Sequence, residues 1–240
     1  MRLFDVTMPT PAENLALDEA LLFDASGEEA LRLWESPTWM VVLGRSSRHA
    51  EEAHAEACRD AGVPILRRVS GGATILTGPG CLMYAVVLDL TKRPELLDLT
   101  KAHRFVLGQM VEALRPLDAS VSIAGTSDLA VKRPDGLRKF SGNSVRRVRS
   151  RLLYHGTLLY DFDLPRVGRL LRTPPRQPDY RERRGHEAFL TNLAVERSAL
   201  VEEVGTGWSA SPATLTTEVV EAANGLVADK YAQPGWNELR

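Results

Sequence analysis

The sequence predicts an α/β (α+β) fold with one mixed, mostly antiparallel sheet and helices packed on it. Three observations carry this. Short apolar runs bounded by Gly, Pro and Ser recur along the chain and read as strands. Between them lie stretches with apolar residues at helical spacing, clearest where Leu107, Met110, Val111 and Leu114 share a face. Neither an internal repeat nor a clean linker divides the 240 residues, so one domain over 1–240 with a substantial core is expected.

Pro9 to Asn14 leads into a helix at Leu15 to Leu22, with Leu17, Ala20 and Leu21 in phase. Strands follow at Leu31–Trp34 and Trp39–Leu43, joined across Ser36-Pro37, then a loop at Gly44–Arg48 and an Ala/Glu-rich helix from Glu51 to Asp60 closed by Gly62. The apolar run Val63–Leu66 enters Arg67-Arg68-Val69-Ser70-Gly71-Gly72-Ala73-Thr74-Ile75-Leu76, which reads as strand, tight loop, strand. Gly78-Pro79-Gly80 turns the chain into a buried strand at Cys81–Leu90, and a long helix spans Leu96–Leu114. Arg133-Pro134-Asp135-Gly136 makes a hairpin between two strands, because proline presets φ and glycine accepts the left-handed conformation. Leu152–Tyr160 is a further strand, Val167–Leu171 a short helix, and Pro174-Pro175-Arg176-Gln177-Pro178 a loop; Ser198–Val204 and Thr214–Asn224 complete the chain as helices.

Composition excludes several classes. A net charge of −1 argues against a general nucleic-acid binder. No apolar run approaches the roughly 20 residues of a membrane span, and Met1–Asn14 lacks the basic head and apolar core of a signal peptide, so a cytoplasmic location is expected. Cys58 and Cys81 offer neither a disulfide framework nor metal-ligand spacing. The charge is uneven, however. Arg138 to Arg151 holds six basic residues and no acid, and Arg166 to Arg184 holds seven arginines against Asp179 and Glu182. Such clusters are solvated faces, or they meet an anionic ligand or acidic partner.

The glycine pair lets the backbone of residues 70–73 approach a ligand closely, and successive N–H groups there can hold an anion beside an arginine. On those ten residues alone, a hairpin turn with two solvated arginines is the slightly favoured reading, and the spacing matches neither the phosphate loop nor the dinucleotide fingerprint.

Taken in order, five stretches resemble the lipoate–protein ligase family of the biotin and lipoate ligase superfamily: Asn14–Leu22, Arg67–Ala73, Lys139-Phe140-Ser141-Gly142-Asn143, His155-Gly156-Thr157-Leu158-Leu159, and Leu190-Thr191-Asn192-Leu193. The resemblance covers about residues 10 to 195, and its most specific part is the lysine loop with the His-Gly-Thr strand. It implies ATP-dependent attachment of lipoate, or octanoate, to a lysine of a small carrier domain through an acyl-adenylate, with Mg2+ accompanying ATP. It places Arg68, Ser70, Gly71, Gly72, Ala73, Thr74, Ile75 and Leu76 around the nucleotide and its phosphates, and Lys139 at the acyl carbonyl and α-phosphate. A fixed cation suits that site, because amine attack on an acyl phosphate anhydride builds negative charge on the carbonyl oxygen and the departing phosphate. His155 is expected to support rather than catalyse.

The superfamily's transferases use a cysteine, either just before the lysine loop or well after the His-Gly strand. This chain has none at Val121–Val131 and none after Cys81, which favours a ligase. A transferase using Cys81, or no cysteine, is the alternative, and biotin is a weaker alternative substrate, since the lysine loop matches the lipoate type better. Ala73 stands where a third loop glycine is usual, and Ser127 before Asp128-Leu129 where asparagine is common. Together with the absence of the accessory domain that many bacterial ligases carry, this leaves open a separate accessory subunit, or a degenerate member that binds an acyl group or carrier without catalysis. Arg146, Arg147, Arg149 and Arg151 are expected to steer an acidic carrier domain.

Overall fold

The computed structural model describes residues 1–174 and 176–239. Its strands are β1 (Arg2–Asp5), β2 (Ala30–Trp34), β3 (Met40–Leu43), β4 (Ile65–Arg67), β5 (Ile75–Thr77), β6 (Cys81–Asp89), β7 (Ser122–Ala124), β8 (Asp128–Arg133), β9 (Gly136–Val148), β10 (Arg151–Leu159) and β11 (Ser211–Pro212). The helices are α1 (Pro11–Leu22), α2 (His49–Glu52), α3 (Ala55–Asp60), α4 (Leu99–Leu114), α5 (Leu164–Leu170), α6 (His186–Phe189), α7 (Arg197–Gly207), α8 (Thr217–Leu226) and α9 (Pro234–Asn237).

Eight strands form one sheet in the order β11-β1-β2-β6-β10-β9-β8-β7. Only the pairs made by β1 are parallel; from β2 to β7 every pairing is antiparallel. The fold is therefore the mixed, mostly antiparallel α/β type. Central β6 is buried from Cys81 to Leu88 and reads as a continuous apolar run because both of its faces are covered. A second, three-stranded sheet, β4-β3-β5, stands beside the first.

Helix α1 is fixed by its first turn. Pro11 sits at the start, Thr10 accepts from the Glu13 N–H, and the Glu13 carboxylate accepts from the Thr10 N–H, a reciprocal capping box. Every residue from Asn14 to Leu22 is buried, since α1 lies between the central strands and α8. Its polar residues, Asn14, Asp18 and Glu19, must therefore find partners inside the protein.

Several expectations need correction. The glycine segment is not a hairpin: β4 and β5 do not pair with each other but flank β3 on opposite sides, one parallel and one antiparallel. The helix expected over Glu51–Asp60 breaks at Ala53, which is extended and bridges to Leu171, while the His54 N–H donates to the Leu170 carbonyl at 2.9 Å. Tertiary pairing overrides the local Ala/Glu preference there. The Leu96–Leu114 helix divides at Asp98, whose carboxylate caps the N–H groups of Thr100 and Lys101. Short β1, β7 and β11 and the turn-long α9 carried no readable period. Within the Pro174–Pro178 loop, Pro175 lies outside the described residues.

Candidate active site

A cavity of about 460 Å3 opens between the two sheets, bounded by the glycine segment, the first half of β9, β10 and the arginine-rich 166–186 region. Gly72, Ala73, Thr74, Ile75 and Leu76 line it together with Arg68 and Lys139. Ser70 and Gly71 do not reach its surface. Ser70 is fully buried behind the wall, and the Gly71 carbonyl accepts from the Ser144 hydroxyl of β9 at 2.6 Å.

The two consecutive arginines are buried rather than solvated, and they point opposite ways. Arg68 folds the glycine segment around itself, donating to the Ser70 hydroxyl at 3.0 Å and to the carbonyls of Val42, Gly71 and Ala73 at 3.1, 2.5 and 3.0 Å. Burial lowers its pKa from the usual 12.5 to about 10, opposed by the negative charge of Glu52. Arg67 turns outward from the cavity into a basket of carbonyls: Gly44, Arg45 and Ser47 on one side, Trp236, Asn237 and Leu239 on the other. Residues 236–239 thus strap the back of the segment, with Trp236 Nε1 returning a hydrogen bond to the Arg67 carbonyl at 2.8 Å. The segment turns at Gly72, where φ is +85°, and passes so close to Gly44 that a Cβ there would lie 1.9 Å from the Gly72 carbonyl oxygen.

Behind the wall runs a buried polar chain. Ser70 Oγ lies 2.5 Å from His155 Nε2, His155 Nδ1 3.3 Å from Asp18 Oδ2, and Asp18 Oδ1 2.6 Å from the fully buried Arg32. Arg32 also donates to the Asn14 carbonyl and side-chain oxygens at 2.7 and 2.6 Å. The Asp18 carboxylate only accepts, so the ring hydrogen sits on Nδ1 and Nε2 accepts from the Ser70 hydroxyl. His155 is thereby satisfied on both nitrogens, and the opening helix, the His-Gly-Thr strand and the glycine segment become one unit.

Lys139 is placed by a β-bulge. Ala130 pairs with Lys139 and Leu129 with Ser141, leaving Phe140 as the extra residue; bulges re-aim side chains in this way. Lys139 Nζ then lies 2.8 Å from Asp128 Oδ1, and the other oxygen of Asp128 accepts from the Tyr180 hydroxyl at 2.8 Å. Burial and the Asp128 charge push the Tyr180 phenol far upward, so it remains a donor. Burial and the positive charges of Arg181 and Lys139 depress His186, another wall residue.

Further cations reach the cavity from the 166–186 region: Arg172, Arg176 and Arg181. Apolar side chains, among them Leu15, Val42, Met83, Phe140, Phe162 and Leu171, form a large share of the walls, with Asp18, Glu52, Asp128 and several hydroxyl and amide groups between them. The sequence signalled this arginine excess without assigning it to a site. Asp128 and Asp18 stood inside quoted motifs but without roles, and Glu52 carried no signal. Cys81 is fully buried, absent from the cavity wall, and its thiol is pushed up to about 12 by burial. A nucleophilic cysteine needs an accessible thiolate, and Cys81 has neither property.

Comparison with known proteins decides the family. Residues 10–206 match the lipoyl protein ligase A/B catalytic domain. The chain belongs to that family. Lipoate–protein ligase 1 of Staphylococcus aureus is 26% identical over 239 residues, covering 95% of this chain and 70% of its own length. A provisionally assigned lipoate-protein ligase A of Schizosaccharomyces pombe is 33% identical over 165 residues, covering 68% of this chain, which spans only 42% of that relative. Among solved structures, one of a bi-partite lipoate protein ligase and its lipoyl domain from Thermoplasma acidophilum matches with a TM-score of 0.86 at 22% identity, covering 99% of this chain and 95% of that one. A lipoate-protein ligase A bound with ATP matches at 0.81 and 22% identity, covering 99% and 98%. At these identities the structures establish the fold of this family member.

Proposed function

We propose that this family member is an ATP-dependent lipoate–protein ligase, a single catalytic domain that attaches lipoate, or octanoate, to a lysine of an acceptor carrier domain. The observation that carries the reading is one cavity with two characters. Cations (Lys139, Arg68, Arg172, Arg176, Arg181) and a set of aliphatic and aromatic side chains (Leu15, Val42, Met83, Phe140, Phe162, Leu171) line the same cavity, as a medium-chain acid joined to a nucleotide requires. A putting-together of such ligands agrees with relatives: one Thermoplasma acidophilum ligase of TM-score 0.83 was solved with bound lipoic acid, and another ligase with ATP.

In this reading the acid's carboxylate attacks the α-phosphorus and pyrophosphate leaves. The carrier lysine amine then attacks the acyl carbonyl and AMP leaves. Lys139, held by Asp128, which Tyr180 holds in turn, neutralises charge on the carbonyl oxygen and α-phosphate in both steps without moving far. Arg68 keeps the glycine segment in shape and adds positive potential, Gly72 to Leu76 form the nucleotide wall, and Ser70 and Gly71 brace that wall from behind. Among the described residues no group of three or more His, Cys, Asp or Glu side chains is placed to hold a metal ion. Mg2+ therefore fits only as a passenger on the nucleotide's phosphates with few protein ligands, and no step here is routed through it.

The acceptor is a lipoyl carrier domain, in keeping with the lipoyl domain described alongside the Thermoplasma acidophilum ligase, and a separate accessory subunit is part of the proposal if the chain alone is slow to adenylate. The test is ATP–pyrophosphate exchange dependent on lipoate, alone and with a candidate partner subunit. Exchange supports the ligase, and its absence in both cases favours a member that only binds acyl groups or carrier. Cys81→Ala should leave exchange and transfer intact; loss of transfer alone would restore the transferase reading.

A further inference from the structure

Three carboxylates line the cavity. Asp18 is committed to Arg32 and His155, and Asp128 to Lys139 and Tyr180. Glu52 is different: its Oε2 accepts the backbone N–H of Thr74 at 2.8 Å, immediately after the Gly71–Ala73 turn. An anionic oxygen therefore already occupies a donor that the glycine segment aims into the cavity. The Glu52 charge also bears on Arg68, so it sits where the potential is positive. Its backbone is pinned, since the Glu52 carbonyl accepts from the Arg172 N–H at 3.1 Å and the next two residues pair with Leu171 and Leu170. Its side chain has three rotatable torsions and can leave while the backbone stays.

We propose that Glu52 is a built-in stand-in for a phosphate oxygen, an acid that holds the Thr74 N–H and that a nucleotide polyphosphate must displace. This deepens the nucleotide reading of the same cavity and rests on it. The carboxylate keeps the glycine segment shaped before a nucleotide arrives, because a half-buried N–H left without an acceptor costs free energy. It also sets a threshold. A polyphosphate entering beside the Glu52 carboxylate meets like-charge repulsion, whereas a neutral nucleoside does not.

Glu52→Gln tests this without removing the hydrogen bond, since the amide oxygen can accept from Thr74 while the charge is gone. Calorimetric titration in EDTA compares ATP with adenosine on the full chain, beside Glu52→Ala and the unaltered protein. Glu52→Gln should bind ATP about tenfold more tightly with adenosine unchanged, while its melting temperature stays close to that of the unaltered protein. Unchanged or weaker ATP binding in EDTA overturns the inference. So does weakening seen only when Mg2+ is added, which would make Glu52 a metal ligand. If the unaltered protein and both variants bind neither ATP nor adenosine, the nucleotide reading itself fails and this inference with it.

Discussion

Ser70 and His155 stand 85 positions apart, yet Ser70 Oγ lies 2.5 Å from His155 Nε2 inside the protein. The arrangement Asp18–His155–Ser70 has the connectivity of a hydrolase triad, but its serine is sealed from the cavity and already accepts a hydrogen bond from Arg68. What the chain of bonds supplies is rigidity. It ties the wall that carries Arg68 to the first helix and the central sheet.

Removing a member should therefore cost stability in a graded way. Asp18→Asn leaves the Arg32 guanidinium, 0% exposed, without its counter-charge, and is expected to lose about 3–5 kcal/mol. His155→Ala leaves a hydroxyl and a carboxylate with one partner fewer each, and about 1–3 kcal/mol should go. Urea unfolding of both variants measures the ranking. Equal, small losses would mean that water replaces the missing groups.

Gly142 gives a separate handle on Lys139. A Cβ at 142 would lie 2.7 Å from Lys139 Nζ. The obstructing atom is the end of a flexible side chain, so Gly142→Ala should fold with less than about 1 kcal/mol lost while swinging the ammonium out of place. Lipoate-dependent pyrophosphate exchange should fall, approaching the loss of about 100-fold or more expected for Lys139→Ala. Full exchange in Gly142→Ala would place the reacting groups elsewhere.

Both cysteines should be silent in the folded protein. Burial raises the Cys58 and Cys81 thiols above the usual 9.0, Cys81 to about 12, so at pH 8 only about one Cys81 in ten thousand carries a thiolate. Alkylation should be slow under native conditions and rapid in denaturant. The raised pKa also has a stability consequence with a fixed sign. At neutral pH and below, neither the folded nor the unfolded thiol is appreciably ionised and nothing changes. Between about pH 9 and 12 the unfolded thiol loses its proton while the folded one keeps it, so this contribution to stability falls as pH rises. Urea midpoints of the unaltered protein and Cys81→Ala, compared across that range, read the difference.

Steering of a carrier domain should arise nearer the cavity than the β9–β10 hairpin. Two of the four arginines named for that task are tied down, Arg147 to the Leu97 carbonyl and Arg151 to the Glu28 carbonyl at 2.9 Å. Arg172, Arg176 and Arg181 instead line the cavity, and Arg169 and Arg183 near them in sequence are exposed. Reversing Arg169 and Arg183 to glutamate should slow transfer to an acidic carrier and flatten its salt dependence, with exchange little affected. Reversing Arg146 and Arg149 should do less. The opposite order would restore the hairpin as the steering surface.

The sequence carried the frame and the loops, because strand punctuation and apolar periodicity are local, and because the glycine and lysine segments are specific in composition. It could not carry the connections. That β3 would enter between β4 and β5, that Ala53 would be drawn into pairing with Leu171, or that Glu52 would reach the Thr74 N–H depends on neighbours dozens of residues away. Arg67 and Arg68 show the limit most sharply. As adjacent letters they read as two solvated charges, whereas one shapes the cavity wall and the other binds the strap.

That strap fixes an order of events during synthesis. The side-chain oxygen that caps the Arg67 N–H belongs to Asn237, 170 positions later. At translation speeds of about 5–20 residues per second, the back of the glycine segment waits roughly 10–30 s on the ribosome before its last partners exist. Until then, of the six carbonyls named above, those of Gly44, Arg45 and Ser47 are at hand for the Arg67 guanidinium, and the nascent chain carries the other half of the basket unbuilt.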